Sequence, residues 1–84
     1  MKHEIYFSDG KLREEGEILE GVKSGLWIEY YSNGNIKIKK NFEAGKKHGR
    51  FEFFKENGDL DFQLDYNCGH LKLTNFKIKK FLKQ

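Results

Sequence analysis

Three histidines, one cysteine and a cluster of carboxylates are the side chains here with reactive chemistry of their own, and their spacing decides what they could do. His3, His48 and His70 lie at a terminus and in glycine-flanked segments, and no common period relates them. Cys68 and His70, separated by Gly69, would supply two metal ligands where a structural zinc site needs four. They read as a turn cysteine and turn histidines, so no metal and no cofactor are expected. Ser8, Ser24 and Ser32 fall in turn-like segments with no His-Asp arrangement to activate them. Glu14, Glu15 and Glu17 read as the solvated face of a strand. The glycines precede strands, not helices, so none forms a phosphate cradle. The expectation is a protein that is not an enzyme.

The chemistry of contact is better represented. Aromatic residues make up 15% of the chain, set against 37% hydrophobic and 35% charged residues. Few but large apolar groups suit a thin structure that buries one face, since each ring covers roughly 150–250 Å². Tyr, Trp, Phe and Arg carry most of the energy at protein interfaces. That singles out Tyr6, Trp27, Tyr30, Tyr31, Phe51, Phe53 and Phe54 as candidates for binding a partner. Lys37, Lys39, Lys46, Lys47 and Arg50 are the candidates for a basic patch.

The elements that must position these groups are written in the glycines. Gly10, Gly34 and Gly58 are spaced by 24, as are Gly21, Gly45 and Gly69, and Gly25 and Gly49 take the same step. Asp9, Asn33 and Asn57 share the period, as do Leu12, Ile36 and Leu60. Such repetition predicts a quasi-linear array of identical supersecondary units. Asp-Gly and Asn-Gly pairs are strong hairpin signals, and a two-residue type I′ loop at Asn33-Gly34 is expected. It would pair Tyr31 with Ile36, Tyr30 with Lys37 and Trp27 with Lys40, and in the next unit Phe54 with Asp61 and Phe53 with Phe62. The second glycine pair, in GKKHG over 45–49, is expected to form the wider turn between hairpins. Gly16 stands off the period and is expected to tolerate a β-branched residue better than Gly34.

The fold class expected is therefore all-β. Three tandem 24-residue hairpin repeats, about 6–29, 30–53 and 54–77, form a single twisted antiparallel meander of six or seven strands within one domain of 84 residues. One face is apolar (Ile5, Phe7, Leu12, Ile18, Trp27, Tyr31, Ile36, Ile38, Phe42, Phe51, Phe53, Phe62, Leu64, Tyr66); the other is charged, with a column of Tyr6, Tyr30 and Phe54. The last residues, 78–84, fall out of phase and are expected to cap the sheet as a strand or a short helix.

GLWIEYYSNG over residues 25–34, followed by GKKHG, resembles the bacterial variant of the MORN repeat, as found in the YwqK-type antitoxin family. The resemblance covers residues 3–73. It implies an elongated single-layer sheet used for protein or lipid contacts, and an antitoxin or immunity protein that masks a toxin. Val22-Lys23-Ser24 in the first copy and Leu73 in the third depart from the pattern, as terminal repeats do.

Charge is unevenly spread: the three repeats carry −3, +4 and −1, and residues 78–84 add +3. A basic middle beside an acidic start suits a protein partner with complementary charge. Attachment to anionic lipid is the alternative, each basic residue contributing roughly 1 kcal/mol at such a surface. Nucleic acid is disfavoured, because Glu29, Glu52, Asp61 and Asp65 interrupt the basic columns. The lone cysteine and the lack of an apolar run for a leader or spanning helix point to a cytoplasmic setting. An apolar face on a single layer also predicts a homodimer or a partner complex through that face.

Overall fold

The computed structural model describes residues 1–72. Eight strands follow one another in chain order: β1 (Lys2–Tyr6), β2 (Leu12–Leu19), β3 (Val22–Tyr30), β4 (Ile36–Glu43), β5 (Lys46–Lys47), β6 (Gly49–Phe54), β7 (Leu60–Asn67) and β8 (His70–Lys72). They form one antiparallel sheet in the order β1-β2-β3-β4-β6-β7-β8, with the two-residue β5 also paired to β4. The extents are 39 × 32 × 12 Å. Two stacked sheets alone stand about 10 Å apart before their outer side chains are counted, so a 12 Å thickness is one layer. The expected meander is present, and the C-terminal cap lies outside the described residues.

The turns correct the sequence reading. In each Asx-Gly turn the glycine N–H donates to the carbonyl three residues back, as Gly34 does to Tyr31 at 2.9 Å, and Tyr31 N–H donates to Asn35 O at 2.8 Å. The Asx side chain accepts from the backbone two residues on: Asp9 from Lys11, Asn33 from Asn35, Asn57 from Asp59. Positive φ is confined to the glycine, 93° at Gly34, and Asn33 does not share it. This is a three-residue loop closing on a left-handed glycine and a bulge, not a two-residue type I′ loop. The side-chain hydrogen bond of the Asx residue favours it. The extra residue shifts the register, so Tyr30 pairs with Ile36 and Phe54 with Leu60, in place of Tyr30 with Lys37, Tyr31 with Ile36 and Phe54 with Asp61. Deeper pairs stand as expected, including Trp27 with Lys40 and Phe53 with Phe62.

The tight turns lie at the other ends of the strands. Glu20-Gly21, Ala44-Gly45 and Cys68-Gly69 have positive φ at both residues, the type I′ signature. They are closed by the pairs Leu19–Val22, Glu43–Lys46 and Asn67–His70. What was expected to be the wider connection is thus the narrower one. A non-glycine residue in this conformation costs about 1–3 kcal/mol. Hydrogen bonds from the preceding repeat hold two of the turns in place: Gly45 N–H donates to Lys23 O at 3.0 Å and Gly69 N–H to Lys47 O at 2.7 Å.

The most buried side chains are Trp27 and Phe51, 1% and 3% exposed and one repeat apart. Gly16 explains the first. A β-carbon built at Gly16 would lie 2.0 Å from Trp27 Cδ2 and 2.3 Å from Cε2, so the indole occupies the space a side chain would need. The β2–β3 register skips at this residue. Gly16 is off the 24-residue period because it serves clearance rather than a turn, and its expected tolerance of substitution is overturned. Gly16→Ala should therefore lower stability in urea by about 1–3 kcal/mol, the range for overpacking, and should shift the native emission of Trp27, the only tryptophan. Gly34→Ala, whose new methyl group meets open space, should destabilise through φ alone and leave that emission unchanged. Identical native spectra for the two variants would disprove the contact.

Candidate functional site

On the Trp27 face, rings from five strands meet in a ribbon across the sheet. Centroids lie 5.2 Å apart for His3–Trp27, 6.4 Å for Trp27–Phe42, 5.8 Å for Phe42–Phe51 and 4.8 Å for Phe51–Tyr66. β2 contributes no ring: Gly16 is the ladder partner of His3, and its missing side chain lets His3 reach Trp27 over the intervening strand. Two lysines one repeat apart lie on the ribbon. Lys23 Nζ is 4.8 Å from the Trp27 ring and 5.1 Å from Phe42; Lys47 Nζ is 5.9 Å from Phe51 and 5.1 Å from Tyr66. Each contact is worth about 0.5–1 kcal/mol at an exposed site, while the ammonium stays in water. Phe53 and Phe62 add a stacked cross-strand pair at 4.5 Å.

The same face carries a charged triad. Glu14 and Glu29 are ladder partners, a like-charge pairing that would repel. Lys40 Nζ lies 3.2 Å from Glu14 Oε2 and 2.6 Å from Glu29 Oε2, with the three side chains 13%, 18% and 31% exposed. Burial pulls the Lys40 ammonium down, but the hydrogen bonds and charges of Glu29 and Glu14 outweigh it and leave its pKa above the ordinary lysine value. The cation turns an unfavourable carboxylate pair into a favourable bridge between β2, β3 and β4.

On the opposite face, Tyr30 donates its hydroxyl to Glu15. Burial first, then that hydrogen bond and the Glu15 charge, push the phenol up to about 12. Tyr6 is half-exposed and donates to Glu4 at 2.8 Å, and that bond, with burial and nearby charge, raises its pKa too. The five candidate basic residues do not converge. Lys47 pairs with Phe42 and belongs to the ribbon side. On the other side Lys39 is opposite Glu52, Lys46 is opposite Glu43, and Arg50 Nε is 3.2 Å from Asp65 Oδ1. Lys37 and Lys39 extend over the Tyr31 and Phe54 rings at 5.6 and 5.8 Å.

Residues 23–44 and 47–67 match the family described as the MORN repeat variant. These 22 and 21 residues make 43 of 84, more than half the chain. The chain belongs to the MORN repeat variant family. MORN repeats are non-catalytic modules that bind proteins or membranes. The two MORN segments open at or within the cation–π contacts of Lys23 and Lys47, and the first ends at the tight turn of Ala44. Comparison with curated proteins and with solved structures found no match.

The candidate aromatics divide by environment. Trp27 and Phe51 are core, and as they stand no partner reaches them. Phe53 is half-buried in its stack, and Tyr31 donates its hydroxyl to Phe54 O at 2.6 Å, joining two MORN repeats. Tyr6 is the one large exposed ring among them. Phe42, Phe62 and Leu64 are half-buried as well. His48 accepts from Cys68 N–H at 3.1 Å through Nδ1, with Nε2 3.4 Å from Glu43. Among the described residues no three His, Cys, Asp or Glu side chains are grouped to hold a metal. Sequence reasoning missed Gly16 and the Glu14–Lys40–Glu29 triad, which no motif marks, and Lys23, whose 24-residue step to Lys47 was visible.

Two outcomes test these environments. Lys40→Met should cost about 1–3 kcal/mol, less than the loss for a fully buried pair because the triad is partly solvated. The triple variant E14Q/E29Q/K40M should recover part of it, since no unpaired charge is then left; denaturant melts read both. Raised pKa values stabilise the fold below the ordinary Tyr and Lys values, and that stability is lost as pH climbs through the folded-state pKa. In an alkaline titration at 295 nm, one phenol of the native protein should ionise at about 12, and Tyr30→Phe should remove that step.

Proposed function

We propose that this MORN protein is a non-enzymatic protein-interaction module, in the narrower reading an antitoxin or immunity protein that masks a toxin. The observation that carries the proposal is the pairing of the basic residues. Lys39, Lys46 and Arg50 each face a carboxylate across the ladder, so the field they present is short-ranged and patterned. Such alternation suits a protein surface with matching charges, where complementarity selects partner and register. A lipid surface needs an uninterrupted excess of positive charge, and the carboxylates work against it. The single layer formed by the described residues offers mainly area. The cytoplasmic setting expected above goes with this reading.

The experiment is co-purification of the tagged 84-residue chain from native lysate, followed by co-expression with the product of the adjacent gene. A stoichiometric protein partner is expected, and growth rescue from a toxic neighbour would support the antitoxin role. Absence of any stable partner, together with flotation on acidic liposomes at physiological salt, would replace this reading with the lipid one.

A further inference from the structure

We propose that the groove beside the first tight turn receives an extended segment of a partner protein in which apolar side chains alternate with lysine or arginine. This rests on the interaction-module reading above and names what the partner carries.

The repeat itself marks the site. Equivalent pairs close the three tight turns: Leu19–Val22, Glu43–Lys46 and Asn67–His70. The second and third are charged or polar, as suits an exposed sheet end. The first is apolar, with Leu19 59% and Val22 42% exposed. Isolated exposed apolar residues are ordinary on a protein surface. These two are neighbours, and they form one wall of an open groove of about 620 Å³. Phe42 and Ala44 line the groove with them, as do Gly25 and Gly49, which place no side chains in it. The scaffold closes its later turns with polar residues; Val22 here packs over the bare backbone of Gly45 in the next tight turn, yet it and Leu19 still leave an apolar wall exposed.

Charge selects the occupant. Glu20 and Glu43 are the acidic side chains of the lining, and His48 lies 3.4 Å from Glu43. Lys46 faces Glu43 across the turn, and Glu17, opposite Ser24, is engaged by the terminal ammonium at 2.9 Å. Glu20 is left at the rim, in the repeat whose net charge is −3. The rest of the lining comes from the +4 repeat, where Lys46 and His48 stand beside Glu43, so Glu20 is the carboxylate left to meet a cation on an apolar segment, and it disfavours an acidic one. The volume lies within the roughly 300–1,000 Å³ of pockets that hold sizeable ligands, enough for more than one large side chain. The open form admits a chain passing through rather than an enclosed small molecule.

The test uses the full 84-residue protein, nitrogen-15 labelled, titrated with the capped hexapeptide Gly-Leu-Lys-Phe-Lys-Gly. A second peptide replaces its lysines with glutamates. The lysine peptide should produce saturable shifts at the amides of Ser24, Gly25, Ala44 and Gly49. The glutamate peptide should bind roughly tenfold more weakly, as charge-assisted contacts become repulsive. The variant L19E/V22K transplants the pair found at the second turn, so it should keep the native amide spectrum away from the turn, with a lower melting temperature from the lost Val22–Gly45 contact, and lose the peptide shifts. No saturable shift at millimolar peptide, equal binding of both peptides, or shifts mapping elsewhere would each overturn the proposal. So would light scattering that finds a dimer in the parent and a monomer in L19E/V22K, because the occupant would then be a second copy. A partner captured equally by parent and variant would sink the groove and leave the interaction-module reading standing.

Discussion

The indole of Trp27 resting on the bare backbone of Gly16 is the contact from which the whole ribbon face is laid out. Among the described residues the sheet has no opposing sheet or helix over its apolar side chains, so burial within residues 1–72 comes sideways, from ring to ring along the sheet. That works only if the largest ring can lie down. Gly16 gives it room, and the same gap lets His3 touch the indole from the far side of β2. The Trp27 Nε1–H then donates to Glu17 O at 3.1 Å, so the ring's one polar atom is satisfied at the place where its flat face is buried. Phe42, Phe51 and Tyr66 continue the line, each held between its neighbours.

Two further devices accompany this sideways burial. Lysine stems lie on the rings where another protein would place a helix, giving the ribbon a lid that remains soluble. Where the pattern brings two glutamates into register, a lysine from the next strand resolves the conflict with an ion triad. Both devices draw on long side chains with charged ends. This reconciles a charged fraction of 35% with a fold that still needs an apolar interior. These devices cover part of the ribbon face, while Leu71, the ladder partner of Tyr66 on that face, stays 45% exposed.

The architecture was legible because its signals are periodic. A 24-residue glycine step, Asx-Gly pairs and the alternation over residues 36–39 and through β7 dictate hairpins in series, and the pairs from Gly25–Phe42 to Ile28–Lys39 follow by counting. The turn types were not legible. An Asn-Gly pair serves a two-residue loop and a three-residue loop equally well, and the Asx side-chain hydrogen bond that selects between them depends on backbone geometry. Glu20, Ala44 and Cys68 gave no warning that they adopt left-handed conformations, since it is the carbonyls of Lys23 and Lys47 that secure two of those turns. The aromatic candidates were recognised as important, but a list of residue types does not separate a ring that builds the sheet from one that meets a partner. Trp27 and Phe51 are the former. The five basic residues looked like a patch along the chain, and the pleat sends Lys47 to the other side. Gly16 was hardest to read, because a glycine kept for clearance is defined by a neighbour eleven positions away.

The hydrogen bonds that tie each tight turn to the repeat before it bear on how the chain reaches this state. Every strand contacts strands next to it in the sheet order, and sheet order follows chain order. No pairing has to wait for distant parts of the chain to meet, so the loop-closure entropy that slows most all-β proteins is small at each step. Formation resembles closing a zipper, in which a finished hairpin offers the next turn its carbonyl. The same arrangement sets the order of loss. An end repeat has a neighbour on one side and opens first, while the middle repeat, held from both directions, should retain its amide protons longest.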